Sequence, residues 1–141
     1  MSILKFMLDE GGYAPEYAHK DDAGMDLRTP ESFILYQNEI KIIDLKIHFF
    51  IEPFWYLAIV PKSGLAMKGL SIVNTPGTID AGYTGSVRVI LINLGEKPIE
   101  FEAGDKVCQA ILKKKEDVEL IQVFEKPVTE RGDNGLGSTG R

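Results

Sequence analysis

Five short polar stretches hold the residues that could do chemistry, and each contains glycine. In 22-DAGMDL-27 two carboxylates flank a glycine, and Asp26 runs straight into Leu27, so it opens an ordered segment. The spacing and closing glutamate of an EF-hand loop are absent. In 61-PKSGLAMKG-69, Lys62 and Ser63 precede Gly64 at a strand-to-helix junction. Backbone N–H groups, a cation and a hydroxyl there suit phosphate oxygens. Pro61 stands where a nucleophile elbow needs its first glycine, so Ser63 is not read as a nucleophile. The stretch 74-NTPGTIDAGYTG-85 reads as a hairpin punctuated by Pro76-Gly77 and Gly82. Asp80 follows Ile79, a residue expected to be buried; partial desolvation of its carboxylate would make it a better base. Tyr83 offers a flat ring, and Asn74 with the hairpin's free backbone groups can read the edge of a base. In 104-GDKVCQAIL-112, Gln109 is a polar residue in an apolar run, and Cys108 reads as a small core residue. The last stretch, 131-RGDNGLGSTGR-141, has the glycine spacing of a P-loop without its lysine or its following helix. His19 and His48 are too isolated for a triad or a zinc site, and His48 reads as a structural strand residue.

These parts need a scaffold, and its period is two. Strands are expected at Ile3–Leu8, Phe33–Tyr36, Glu39–Glu52, Trp55–Val60, Ser86–Asn93, Lys97–Glu102, Lys106–Leu112 and Val118–Phe124. The apolar parity of the third slips at Ile42-Ile43, as one bulge would make it do. Gly, Pro, Asn and Asp mark the turns, and only Ser63–Leu70 has room for a short helix. The expected class is all-β, a sandwich, jelly roll or barrel. With 141 residues, one domain is expected. Residues 1–124 form the barrel and 125–141 a flexible arm without apolar period. Seventeen extended residues reach about 55 Å, far enough to act on a neighbouring subunit.

A formal net charge of −5 argues against nucleic-acid backbones as partners and leaves room for a small anionic ligand. The single cysteine allows no internal disulfide and fits a reducing compartment. The N-terminal run MSILKFMLDE lacks a signal-peptide core, and no apolar stretch is long enough for a membrane span. An intracellular, cytoplasmic protein is expected.

Taken together, the five stretches are the parts of a phosphoryl-transfer site, which works by positioning, cations and an oriented water. Their order and spacing resemble the five motifs of the trimeric dUTP diphosphatases (dUTPases). The matching segments are Ala23–Leu27, Pro61–Ala66, Gly77–Gly85, Gly104–Gln109 and Arg131–Gly140. The resemblance implies a jelly-roll-like subunit in a homotrimer, with the arm of one chain closing a site formed by two others. It implies hydrolysis of dUTP to dUMP and pyrophosphate, with Mg²⁺ on the triphosphate. Asp80 would orient and deprotonate the water that attacks the α-phosphorus. Gln109 would bind the α-phosphate region or that water. Gly77, Thr78 and Ile79, with Asn74, would read uracil, and Arg88 would contact the pyrimidine edge. Tyr83 would pack on the deoxyribose and leave no room for a 2′-hydroxyl. Lys62, Ser63 and Gly64 would hold phosphates, and Arg131, Gly137 and Ser138 would wrap the β- and γ-phosphates. Asp26 would support the hydrated metal through water.

Three positions depart from that pattern. Lys62 replaces an arginine and turns a bidentate fork into a point charge. Asn134 replaces a glycine. Leu136 stands where an aromatic ring stacks over the base. The dCTP deaminases share the fold but place a catalytic glutamate in the strand after the hairpin, and 86-SVRVILIN-93 contains no acid.

Overall fold

The computed structural model describes residues 2–140. Its strands are β1 (Lys5–Leu8), β2 (Met25–Arg28), β3 (Phe33–Leu35), β4 (Ile40–Phe50), β5 (Trp55–Val60), β6 (Leu70–Ile72), β7 (Gly77–Ile79), β8 (Ser86–Asn93), β9 (Ile99–Phe101) and β10 (Lys106–Lys114). One helix, α1, spans Ser63–Ala66. Two four-stranded sheets, ordered β1-β4-β8-β6 and β2-β10-β5-β7, and the small pair β3-β9 build a jelly-roll-like barrel. All strand pairs are antiparallel. The all-β expectation therefore holds.

The alternating residues of β4 and β8 explain the core. Ile43, Leu45, Ile47 and Phe49 point inward from β4, and Val87, Val89 and Leu91 from β8, all essentially inaccessible. They meet Leu57 of β5 and Val107 of β10 in one cluster. Cys108 belongs to the same core, where burial pushes its thiol up to about 12. It is inert at neutral pH, as its apolar neighbours suggested.

Four sequence expectations are corrected. The parity change at Ile42-Ile43 is not a bulge: Ile40 and Ile42 sit on the outer face, in register with Ile92 and Ile90 of β8, and both faces of the strand are apolar there. The register shift lies further on, between Asp44 and His48, around Lys46 with φ 54°. The helix stops at Ala66 rather than Leu70, because Gly69 adopts φ 98° and packs where a Cβ would strike the backbone of Gly95. Strands β2, β6 and β7 have only four, three and three residues, too few to show a period. Finally, Val118–Phe124 forms no strand. The ladder of β10 ends at Lys114 opposite Trp55, the first residue of β5, so the chain beyond has nothing to pair with. Leu120 and Phe124 are about nine-tenths exposed, at 92% and 88%.

Candidate active site

The first group of site residues gathers on β2, β10 and the end of β5. Strand β10 lies between the other two, so Gln109 stands opposite Asp26 on one side and Val60 on the other. Asp26 is buried at 2% exposure, and a buried carboxylate needs partners. Lys62 donates from Nζ to Oδ1, and Lys106 from Nζ to Oδ2 at 2.9 Å. Burial pushes the Asp26 carboxyl up, but the hydrogen bonds and charges of Lys62 and Lys106 outweigh it and hold the group below its ordinary range. Asp26 thus anchors Lys62 beside Ser63. Both Ser63 and Gly64 are exposed, and the side of Gly64 where a Cβ would stand is open space. The Lys62 ammonium, held on Asp26, is followed in sequence by the exposed Ser63 and Gly64 at the start of a helical turn, so a cation, a hydroxyl and N–H groups come together as the elements of a phosphate cup.

Gln109 is held from two sides. Its Nε2 donates to the Pro61 carbonyl at 3.0 Å. Across from it, a Cβ on Gly24 would overlap Oε1 of the amide. Gly24 is thus glycine because Gln109 fills the space of its side chain. Gly24→Ala is expected to force the amide away and lower kcat at least tenfold. Overpacking would cost about 1–3 kcal/mol. Steady-state kinetics beside thermal unfolding checks this; unchanged kcat would remove the clamp from the site. Gly24 and Lys106 carried no role in the sequence reading, although both lie inside the motif segments.

The second group is the hairpin of β7 and the turn after it. Ile59 pairs with Gly77, Ala58 with Thr78 and Leu57 with Ile79. β7 is the outermost strand of its sheet, so one edge keeps free N–H and C=O groups. Asn74 lies beside Gly77, its Nδ2 3.6 Å from where a Cβ would be. The turn closes with Tyr83 N–H donating to the Asp80 carbonyl at 3.1 Å. The Tyr83 hydroxyl donates to the Ser86 carbonyl at 2.8 Å, with the ring folded over Gly85, where any Cβ would collide with it. The expected desolvation of Asp80 is not found: Ile79 is half-buried and Asp80 exposed, because the hairpin tip projects beyond the barrel. Arg88 lies on β8 in the other sheet, opposite Asp44, and is exposed.

The arm is the third group. Residues 116–140 hold neither helix nor strand and are exposed throughout. Their turns are local: Asn134 N–H to the Arg131 carbonyl at 3.2 Å, Ser138 N–H to Gly135 at 2.7 Å, and Arg131 Nε to Asn134 at 2.7 Å. Leu136, Gly137 and Ser138 lie in this exposed run.

Register shows how far apart the first two groups are. Leu57 opposes Ile79, so Asp80 lies at the level of Tyr56. Lys62 is six residues further along the same chain, about 20 Å at strand rise. A single phosphate group cannot touch Lys62 and a water held by Asp80 on one chain.

Four motif segments thus lie on or beside β strands of a jelly-roll-like barrel and the fifth lies in the arm, and a family model described as dUTPase matches residues 11–140. The chain belongs to the dUTPase family. It is similar to the deoxyuridine 5′-triphosphate nucleotidohydrolase of Clostridium novyi, 41% identical over 99% of each chain. The protein of that name from Clostridioides difficile is 40% identical over 94% of each. Among solved structures, the dUTPase of Staphylococcus bacteriophage 80alpha with dUPNHPP covers 100% of both chains at TM-score 0.91 and 27% identity. A mutant dUTPase from phage phi11 of S. aureus, described with a structural Mg(II) ion, gives TM-score 0.81 and 26% identity over 88% of this chain and 98% of that one.

Among the described residues no three His, Cys, Asp or Glu side chains gather into a metal site. The Asp26 oxygens each already face an ammonium group. A hydrated Mg²⁺ held mainly by phosphates needs no protein cage, and the chemistry of this chain suits that arrangement.

Proposed function

We propose that this dUTPase hydrolyses dUTP to dUMP and pyrophosphate in sites shared between the chains of a homotrimer. In the cell this reaction limits uracil incorporation into DNA and supplies dUMP for dTMP synthesis. The observation that carries the shared site is the separation of about 20 Å between Asp80 and Lys62 along one sheet. It is supported by the exposed apolar run Val118–Phe124 and by an arm whose described residues are exposed and whose hydrogen bonds stay within the arm.

In this reading the free edge of β7, with Asn74, reads the uracil edge through Gly77, Thr78 and Ile79, and Arg88 reaches the pyrimidine from β8 of the other sheet. The Tyr83 ring packs on the deoxyribose and excludes a 2′-hydroxyl. Lys62, Ser63 and Gly64 of another chain grip the phosphates. Asp80 takes the proton of a water whose oxygen bonds to the α-phosphorus, while the bond to the bridging oxygen breaks and pyrophosphate leaves. Gln109, fixed on Pro61, donates to the α-phosphate region or to that water. Arg131, Gly137 and Ser138 of the arm wrap the β- and γ-phosphates and shut out solvent. Mg²⁺ bound to the triphosphate supplies charge neutralisation.

The test is pyrophosphate release with dUTP, UTP, dTTP and dCTP, with and without Mg²⁺. Strong preference for dUTP supports the reading, and equal use of UTP contradicts the role of Tyr83.

Leu136 covers the base without stacking on it as a ring does. Leu136→Phe is expected to lower KM severalfold, since an aromatic stack contributes about 1 kcal/mol. Unchanged KM and kcat would mean that this side chain does not meet the base.

A further inference from the structure

We infer that His48 is a positioning residue: its imidazolium ring bridges Asp9 and the carbonyl of Thr84, and so holds the turn that carries Tyr83. The inference rests on the proposed role of Tyr83. His48 lies in β4, opposite Met7 of β1 and Ser86 of β8. Its Nδ1 is 2.8 Å from the Thr84 carbonyl oxygen and its Nε2 is 2.8 Å from Asp9 Oδ2. Both partners only accept, so both ring nitrogens must donate, and only the charged ring has two N–H groups.

The bulge in β4 builds this bridge. With Lys46 at positive φ, its carbonyl turns to accept the Asp9 N–H at 2.9 Å, which puts the Asp9 side chain beside His48. The ring itself is well covered, with 15% of its side chain exposed. On the other side, Thr84 directly follows Tyr83, whose hydroxyl is tied to Ser86. The turn is therefore fixed at two points, one of them His48.

The bond to Thr84, then the bond and charge of Asp9, raise His48 above its ordinary 6.5; Asp44 on β4 acts in the same direction. The other charged groups on the elements around it are Lys5 of β1, Lys41 and Lys46 of β4, Arg88 of β8 and Asp80 of the turn. Because the folded value is raised, the bridge is complete below it and is lost as pH rises through it. A neutral ring keeps one N–H. The bond to a carboxylate is the stronger, so that proton stays on Nε2 and the Thr84 bond is given up.

The experiment measures kcat/KM for dUTP and for UTP from pH 6 to 9 in the wild type, His48→Asn, His48→Gln and Asp9→Asn. An asparagine amide nitrogen takes the place of Nδ1 and keeps the Thr84 bond; a glutamine nitrogen takes the place of Nε2 and loses it. The wild-type preference for dUTP is expected to fall severalfold as pH rises through the raised His48 value. H48N is expected to keep the preference at all pH values, and H48Q to show the reduced preference at all pH values. D9N, on an exposed side chain, is expected to move the break to lower pH. Full preference in H48Q, or an unmoved break in D9N, overturns the inference. A wild type that uses UTP and dUTP equally at every pH overturns the role of Tyr83 instead, a different outcome.

Discussion

Replacing Asp80 by asparagine is expected to lower kcat for dUTP by about 100- to 10,000-fold, the usual contribution of a general base. The exchange is isosteric, and Asp80 is exposed at a hairpin tip with no side-chain hydrogen bond to lose. Stability should change by less than about 0.5 kcal/mol. Binding of a non-hydrolysable dUTP analogue should be close to wild type, because uracil is read by the β7 edge and phosphates by Lys62 and Ser63. Single-turnover rates, titration of the analogue and thermal unfolding together separate these effects. A variant that retains more than about a tenth of wild-type kcat would remove Asp80 from the role of base.

The second large effect concerns the arm. A chain stopped before Arg131 loses the cation, the glycines and Leu136 while leaving the barrel untouched, since the removed residues are exposed and their hydrogen bonds stay within the arm, among themselves or to Lys126 and Thr129. The melting temperature should be unchanged, and kcat/KM for dUTP should fall by at least about 100-fold. The loss has two physical sources. The β- and γ-phosphates lose charge-assisted hydrogen bonds, and solvent is no longer shut out of the site. Excess pyrophosphate should compete equally well with residual activity in the shortened and complete chains if the arm does not bind phosphates; weaker competition in the shortened chain is the expected result.

Much of the architecture was readable because the long strands carry strong alternation. β4 and β8 follow from buried residues at every second position, β5 and β10 from short apolar runs around Leu57–Ile59 and Val107-Cys108, and the apolar residues that break the pattern of β4, Ile40 and Ile42, lie on its outer face opposite Ile92 and Ile90. The short strands β2, β6 and β7 could not be read this way. Three or four residues show no period, and their place is set by pairing with β10, β8 and β5. Val118–Phe124 misled for the opposite reason: it has the composition of a strand but no partner in its own chain.

The site was legible as motifs and not as geometry. Residue types announced a phosphate cup, a hairpin and an arm, but nothing local showed that Asp26 would be clamped by Lys62 and Lys106. That pairing depends on β10 lying between β2 and β5. Gly24 and His48 were equally hidden. The first matters through the space it leaves for Gln109, and the second through a bulge that brings Asp9 across from another strand.

The most direct test of a shared site is complementation. Asp80→Asn chains and chains stopped before Arg131 are each nearly inactive alone, the first lacking the base and the second the arm. Co-refolded at equal amounts, they assemble at random. If hairpin and arm at each site come from different chains, about one quarter of sites combine an intact Asp80 with an intact arm, and about one quarter of wild-type kcat should return. Activity no higher than the average of the two variants alone would show that each chain serves its own site, and would contradict the shared-site reading.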